Sequence, residues 1–197
     1  MIKLVCFDLD GVLVDACDIH KLALERAMLE TVGYSITDAQ HRTIFNGLPT
    51  RKKLEKLGLD KDIIEKINSL KQEFTIVEIT KQIHPDPIKI EMLNKLRENF
   101  YIVCVTNSIK KTAQLMLERS GLMSKIDLLI SNEDVTNAKP NPEGYEKAMI
   151  AFKTNPDETI IVEDSEHGIK AALDSGANLI KVKDPTEVNI KLFEGKI

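Results

Sequence analysis

The sequence contains no CxxC pair, no run of five or six like charges, and no apolar stretch at its N-terminus long enough to act as a leader. Each absence excludes a class of function. Three cysteines, Cys6, Cys17 and Cys104, cannot all pair within one chain, and without a CxxC spacing they offer no zinc ribbon or redox dithiol. Two of them sit in stretches that read as buried strands, which suits core thiols in a reducing compartment. The opening MIKLVCFDLDG is broken by Asp8, far short of a signal-peptide core or the ~20 apolar residues of a membrane span, so the expected location is cytoplasmic. Lys and Arg number 27 against 31 Asp and Glu, a formal net charge of -4, so neither nucleic acid nor a membrane surface is an expected partner. What remains is ordinary: 43% hydrophobic residues in a chain of 197, long enough to fold without a disulfide or a structural metal.

Five short segments are rich in β-branched and apolar residues and show little alternation, the habit of strands buried on both faces of a parallel sheet. They are IKLVCF (2–7), YIVCVT (101–106), DLLIS (127–131), TIIV (159–162) and LIKV (179–182). Helical patterns lie between the later ones, with Ile90, Leu93 and Leu96 on one face and a run through Ala113, Leu117 and Leu122. Strand and helix in alternation predict an α/β fold, a doubly wound, Rossmann-like parallel sheet.

The first and second strands are separated by a long segment that reads as helical. FTIVEIT (74–80) fits the end of a helix beginning near Asp60. In helical register Ile19, Leu22, Ala23 and Ala27 share a face, as do Ile63, Ile67 and Leu70. An insertion of this size predicts a second small domain: residues 1–15 and 83–197 form the α/β core and 16–82 an α-helical cap. HPDP (84–87) supplies the turn and helix start at the exit.

Open α/β sheets bind ligands beyond the carboxyl ends of their strands. The first strand ends in FDLDG, placing Asp8 and Asp10 two positions apart with Gly11 for a tight turn. Two carboxylates this close to an apolar strand repel and resist desolvation unless a cation neutralises them, and a hard, oxygen-seeking ion such as Mg²⁺ is the natural partner. The second strand ends in Thr106, Asn107 and Ser108, small donors ahead of a helix that suit anionic oxygens. After the third comes Lys139 in AKPNPEGY, stiffened by Pro140 and Pro142, and after the fourth, EDSEHG with Glu163 and Asp164. Taken singly, these read as an Asx turn, a helix cap, a solvated lysine and exposed acids. Four successive strand ends carrying acid pair, hydroxyl and amide, lysine, and acid pair instead make a site for a divalent cation and a phosphoryl group together.

In that order the four motifs resemble the haloacid dehalogenase superfamily, in its β-phosphoglucomutase-like branch of phosphatases and mutases with an inserted helical cap. The resemblance implies that Asp8 is the nucleophile and Asp10 the general acid and base. It implies that Thr106, Asn107 and Lys139 bind phosphate. It further implies Mg²⁺ held by Asp8, the main-chain carbonyl of Asp10, Asp164 and, directly or through water, Glu163. The cap segment NGLPTRKKL (46–54) resembles the family's cap specificity pattern, which makes Gly47 and Arg51 candidate substrate contacts. His20 falls where the mutase pattern also has a histidine. TNS is more like the phosphatases than the Ser-Ala-Ser of the mutase, and Lys81 is only a candidate for the mutase's cap lysine. The expected function is therefore a Mg²⁺-dependent phosphatase acting on a small phosphorylated metabolite, a sugar or polyol phosphate. The alternatives are a β-phosphoglucomutase-type mutase and, behind it, a non-catalytic phosphometabolite-binding protein.

Overall fold

Strand β1 (Leu4–Phe7) is buried on both faces, and for that reason its sequence LVCF shows no apolar–polar alternation. It lies at the centre of a five-stranded parallel sheet in the order β3-β2-β1-β4-β5, with β2 at Tyr101–Val105, β3 at Leu128–Ile130, β4 at Thr159–Glu163 and β5 at Asn178–Lys181. Among the described residues the helices of seven or more residues are, in chain order, α1 (Cys17–Val32), α2 (Thr50–Lys56), α3 (Lys61–Gln82), α4 (Pro87–Leu96), α5 (Lys110–Arg119), α6 (Glu143–Phe152) and α7 (Glu166–Asp174). This computed structural model describes residues 1–37, 39–40 and 50–197. The chain divides into two compact units, Met1–Asp15 with Ile83–Ile197, and Ala16–Gln82.

In the sheet unit, Leu4 and Cys6 join Val103, Val105, Ile161 and Tyr145 in one buried cluster. On the opposite face Phe7 meets Phe193 edge to face, ring centroids 6.0 Å apart. Helix α4 starts where HPDP suggests. Pro87 takes the first turn, and the Asp86 carboxylate accepts from the N–H groups of Ile88 (3.0 Å) and Lys89 (3.1 Å). Register then fixes the ligand edge. Phe7 lies opposite Cys104 on one side and Val162 on the other, so the residues after β1, β2 and β4 emerge together where the strand order reverses.

The second unit is helical, and α1 and α3 bury Ala23, Leu24, Ala27, Met28, Ile64, Ile67 and Phe74 with Leu54 of α2. The Arg26 guanidinium lies 4.0 Å from the centroid of the Phe74 ring. The buried arc of α1 runs through Leu24 and Met28, whereas Leu22, expected inside, is 45% exposed. On α3 the buried positions are Ile64, Ile67, Phe74, Thr75 and Ile79, with Ile63 and Leu70 at the margin. Helical spacing identifies an apolar stripe, but the partner helix decides which part of it is covered.

Candidate active site

Asp8 is the residue after β1, and its N–H donates to the Val162 carbonyl at 3.0 Å, which extends the sheet pairing to the carboxylate itself. The chain then turns sharply. Val14 N–H donates to Leu9 O at 2.9 Å and Gly11 N–H to Val14 O at 2.8 Å. Gly11 has φ +90°, and a Cβ there would overlap the Asp164 carboxylate, so only glycine lets this turn lie against the second acidic pair.

Lys139 is the hub. Its side chain is buried, and its ammonium donates to Asp8 Oδ1 at 2.5 Å, Glu163 Oε1 at 2.6 Å and the Val105 carbonyl at 2.7 Å. An ammonium has three hydrogens, and all three are engaged. Burial alone would lower the Lys139 pKa, but the charges of Asp8 and Glu163 outweigh it and hold the group above its ordinary value, firmly a cation. Asp8 is shifted up, first by burial and then by the nearby charges of Glu163 and Asp10, with Lys139 opposing the shift. The second acid pair is equally crowded. Asp164 is pushed up to about 6, by burial first and the Glu163 charge second.

Glu163 is 0% exposed and both its oxygens are occupied. Oε1 accepts from Lys139 and from the Tyr145 hydroxyl at 2.7 Å. Oε2 accepts from the Asp164 N–H at 3.1 Å and the Ser165 hydroxyl at 3.2 Å. Ser165 also caps α7 by accepting from Gly168 N–H at 3.1 Å, and a Cβ on Gly168 would overlap the Glu163 carboxylate.

Asp10 faces the β2 edge. Its Oδ2 accepts from the Ser108 hydroxyl at 2.9 Å and from Thr106 Oγ1 at 3.4 Å, while Thr106 Oγ1 accepts from Ser108 N–H at 3.0 Å. Asn107 turns away to the Lys139 loop, where its side chain contacts the Lys139 main chain.

Could these groups hold a metal? Asp8, Glu163 and Asp164 each offer an oxygen, all within 4.8 Å of one another. Asp164 Oδ1 is buried and has no hydrogen-bond partner among the described residues, which is costly for a carboxylate oxygen unless a cation takes it. An all-oxygen acidic cluster with one bare oxygen fits a hard divalent cation.

The sheet unit thus assembles Asp8, Asp10, Thr106, Asn107, Lys139, Glu163 and Asp164 at one edge. His20, half-buried on α1, and Arg51 on α2 belong to the helical unit, where Arg51 forms a 2.6 Å pair with Glu65. Gly47 lies outside the described residues. Sequence reasoning overlooked Tyr145, Ser165 and Gly168, although all three lie within the AKPNPEGY and EDSEHG segments it singled out. Tyr145 carries no signal in its spacing, because only the tertiary fold brings Glu163 near it, whereas Ser165 and Gly168 meet Glu163 locally, and a serine ahead of a helix is a readable cap.

A model of the family described as haloacid dehalogenase-like hydrolase matches residues 5–182. The chain is 27% identical to a "Phosphorylated carbohydrates phosphatase" of Thermotoga maritima over 182 residues, covering 89% of this chain and 82% of the relative. It is also 27% identical to a "Pyrophosphatase PpaX" of Anoxybacillus flavithermus over 189 residues, covering 89% and 80%. Among solved structures, a beta-phosphoglucomutase from Clostridium difficile shares the fold at TM-score 0.80 and 21% identity, covering 98% of this chain and 96% of the other. With the sheet order, the strand-end acids and the matched span in agreement, the chain belongs to the haloacid dehalogenase-like hydrolase family.

Proposed function

We propose that this protein is a Mg²⁺-dependent phosphatase that hydrolyses a small phosphorylated metabolite, a sugar or polyol phosphate, through an aspartyl-phosphate on Asp8. The observation that carries the reading is the Lys139 ammonium 2.5 Å from Asp8 Oδ1: a fixed cation beside a buried carboxylate at the edge where a phosphoryl group would dock. The Thermotoga relative, named for phosphorylated carbohydrates, supports the substrate class.

Asp8, Asp164, the Asp10 carbonyl and, directly or through water, Glu163 would hold a Mg²⁺, which would supply charge neutralisation between a phosphate dianion and the carboxylates. The remaining work falls to the chain. A carboxylate oxygen of Asp8 forms the bond to phosphorus as the bond to the leaving oxygen breaks, and Asp10, protonated, gives that oxygen its proton. Asp10, now ionised, takes a proton from water as the water oxygen attacks phosphorus, and the bond to Asp8 breaks, restoring its carboxylate. Ser108 and Thr106 hold Asp10 through Oδ2 and so orient its carboxyl for proton transfer. Lys139 and Thr106 bind the equatorial oxygens, where charge builds in the transition state. Because the Asn107 amide is engaged with Lys139, its own contact with phosphate comes from its main-chain N–H. His20 and Arg51, on helices of the second unit, and Gly47, outside the described residues, are the candidates for contacts to the rest of the substrate.

The test is a phosphate-release screen over sugar, polyol and nucleotide monophosphates and pyrophosphate with Mg²⁺, run beside glucose 1-phosphate isomerisation and the Asp8→Asn variant. Release by the native chain, abolished in the variant, is expected. Isomerisation without release would make the protein a mutase, and release persisting in Asp8→Asn would end the aspartyl-phosphate assignment.

A further inference from the structure

Tyr145 is fully buried on α6, 18 positions from Glu163 in sequence, yet its hydroxyl donates to Glu163 Oε1 at 2.7 Å and its ring centroid lies 4.9 Å from Lys139 Nζ. Burial first, and the Glu163 charge second, push the phenol well above its ordinary pKa, so it remains a donor. The Lys139 ammonium has all three hydrogens engaged, on Asp8, Glu163 and Val105. A phosphoryl oxygen can therefore reach Lys139 only if one of those three acceptors gives up its hydrogen.

The three acceptors are not equivalent. The Val105 carbonyl lies deep in the sheet edge, and Asp8 must stay ionised to act as a nucleophile. Glu163 Oε1 is the one acceptor that has a second donor among the described residues, and that donor is Tyr145. If Lys139 turns its hydrogen from Glu163 to the phosphoryl group, Tyr145 keeps that buried oxygen hydrogen-bonded. Without the hydroxyl, the same exchange leaves a buried carboxylate oxygen bare, which is costly.

We propose that Tyr145 is a positioning residue: it holds Glu163 Oε1 so that Lys139 can transfer one N–H from Glu163 to the phosphoryl oxygen. This rests on the reading of Lys139 as a phosphoryl ligand. It goes further by assigning the exchanged partner and the group that makes the exchange possible.

The experiment is calorimetric titration of the full chain with inorganic phosphate in Mg²⁺. The native chain and Lys139→Ala establish whether Lys139 holds phosphate at all. Absent binding, or binding indifferent to Lys139, overturns the underlying reading and this inference with it. Given Lys139-dependent binding, Tyr145→Phe, which preserves ring and shape, should weaken phosphate about tenfold, the effect of one hydrogen bond to a charged group. In a Glu163→Gln background, where no charge is left bare, the same change should cost less than about twofold. Native-like binding by Tyr145→Phe, or an equal loss in both backgrounds, overturns the inference while leaving the phosphatase reading intact. Circular dichroism melts of each variant ensure that folded protein is compared.

Discussion

The side chain of Asn107 and the main chain of Lys139 form a closed two-point contact: Oδ1 accepts from the Lys139 N–H at 3.0 Å and Nδ2 donates to the Lys139 carbonyl at 3.0 Å. The loop after β3 is thereby fastened to the loop after β2 at the one residue whose ammonium must face Asp8. Glu143 secures the same loop upstream, accepting from the N–H groups of Thr136 and Asn137 at 2.8 Å each.

Replacing Asn107 by Ala should leave the fold in place while loosening Lys139. A displacement near 1 Å in a positioned group can cost about a hundredfold, so kcat/KM should fall by roughly ten to a hundredfold. Steady-state kinetics beside a thermal melt would check this, and a variant with unchanged kcat/KM would leave the two-point contact without a catalytic consequence.

Asp10→Asn should discriminate between leaving groups. An aryl phosphate departs with little protonation, whereas an alkyl phosphate needs the acid, and general acid assistance is worth on the order of 10² to 10⁴. In single-turnover experiments the first step should slow far more for the alkyl ester. Equal slowing would remove Asp10 from the acid role.

Asp164 gives a pH prediction with a definite sign. Its carboxyl is raised from 3.8 to about 6, so between those values the folded chain holds a proton that the unfolded chain has released. Without metal, its contribution makes stability fall as pH rises through that window. Relative to the native chain, Asp164→Asn should therefore be more stable above about 6, and the two should converge below 3.8. Mg²⁺ should stabilise the native chain at the upper end, little in the variant, and more Mg²⁺ should be needed as pH drops through about 6. Urea midpoints in chelator and in Mg²⁺ measure all three, and a pH-independent difference between the two proteins would refute the assignment.

Arg51 tests recognition apart from chemistry. If it contacts the part of the substrate remote from the phosphate, Arg51→Ala should lower kcat/KM strongly for the preferred metabolite and little for a small aryl phosphate, whereas Lys139→Ala should harm both alike. Loss of its exposed pair with Glu65 should change stability by no more than about 1 kcal/mol. Comparable losses on both substrates for Arg51→Ala would make it a solvated surface cation.

Strand identity was legible in the sequence because burial on two faces removes alternation, and the acids were legible because they stand next to those strands: Asp8 directly after LVCF, Glu163 closing TIIV. Lys139 needed the other motifs as context, since a lysine in a proline-bounded loop carries no mark of burial. The pairings of Asn107 with Lys139 and of Tyr145 with Glu163 were not legible. A phenol in AKPNPEGY is, by pattern, one more apolar helix residue, and only the packing of α6 under β2 and β1 reveals where its oxygen points. Leu22 failed for a related reason, because an apolar stripe wider than the partner helix leaves one edge outside.

The central position of β1 has a consequence for the order in which the molecule is made. Leu4 pairs with Tyr101 on one side and Thr159 on the other, so β1 leaves the ribosome long before its second neighbour exists. At about 5–20 residues per second, the delay is on the order of ten seconds or more. Over that interval a wholly apolar strand has an unpaired edge, the condition under which nascent chains need shielding. The segment made next, Ala16–Gln82, is a contiguous stretch whose core residues all lie within it, so its apolar contacts need none of the chain that follows. The helical insertion is therefore synthesised in full while the strand that leads into Asp8 still waits for its place in the sheet.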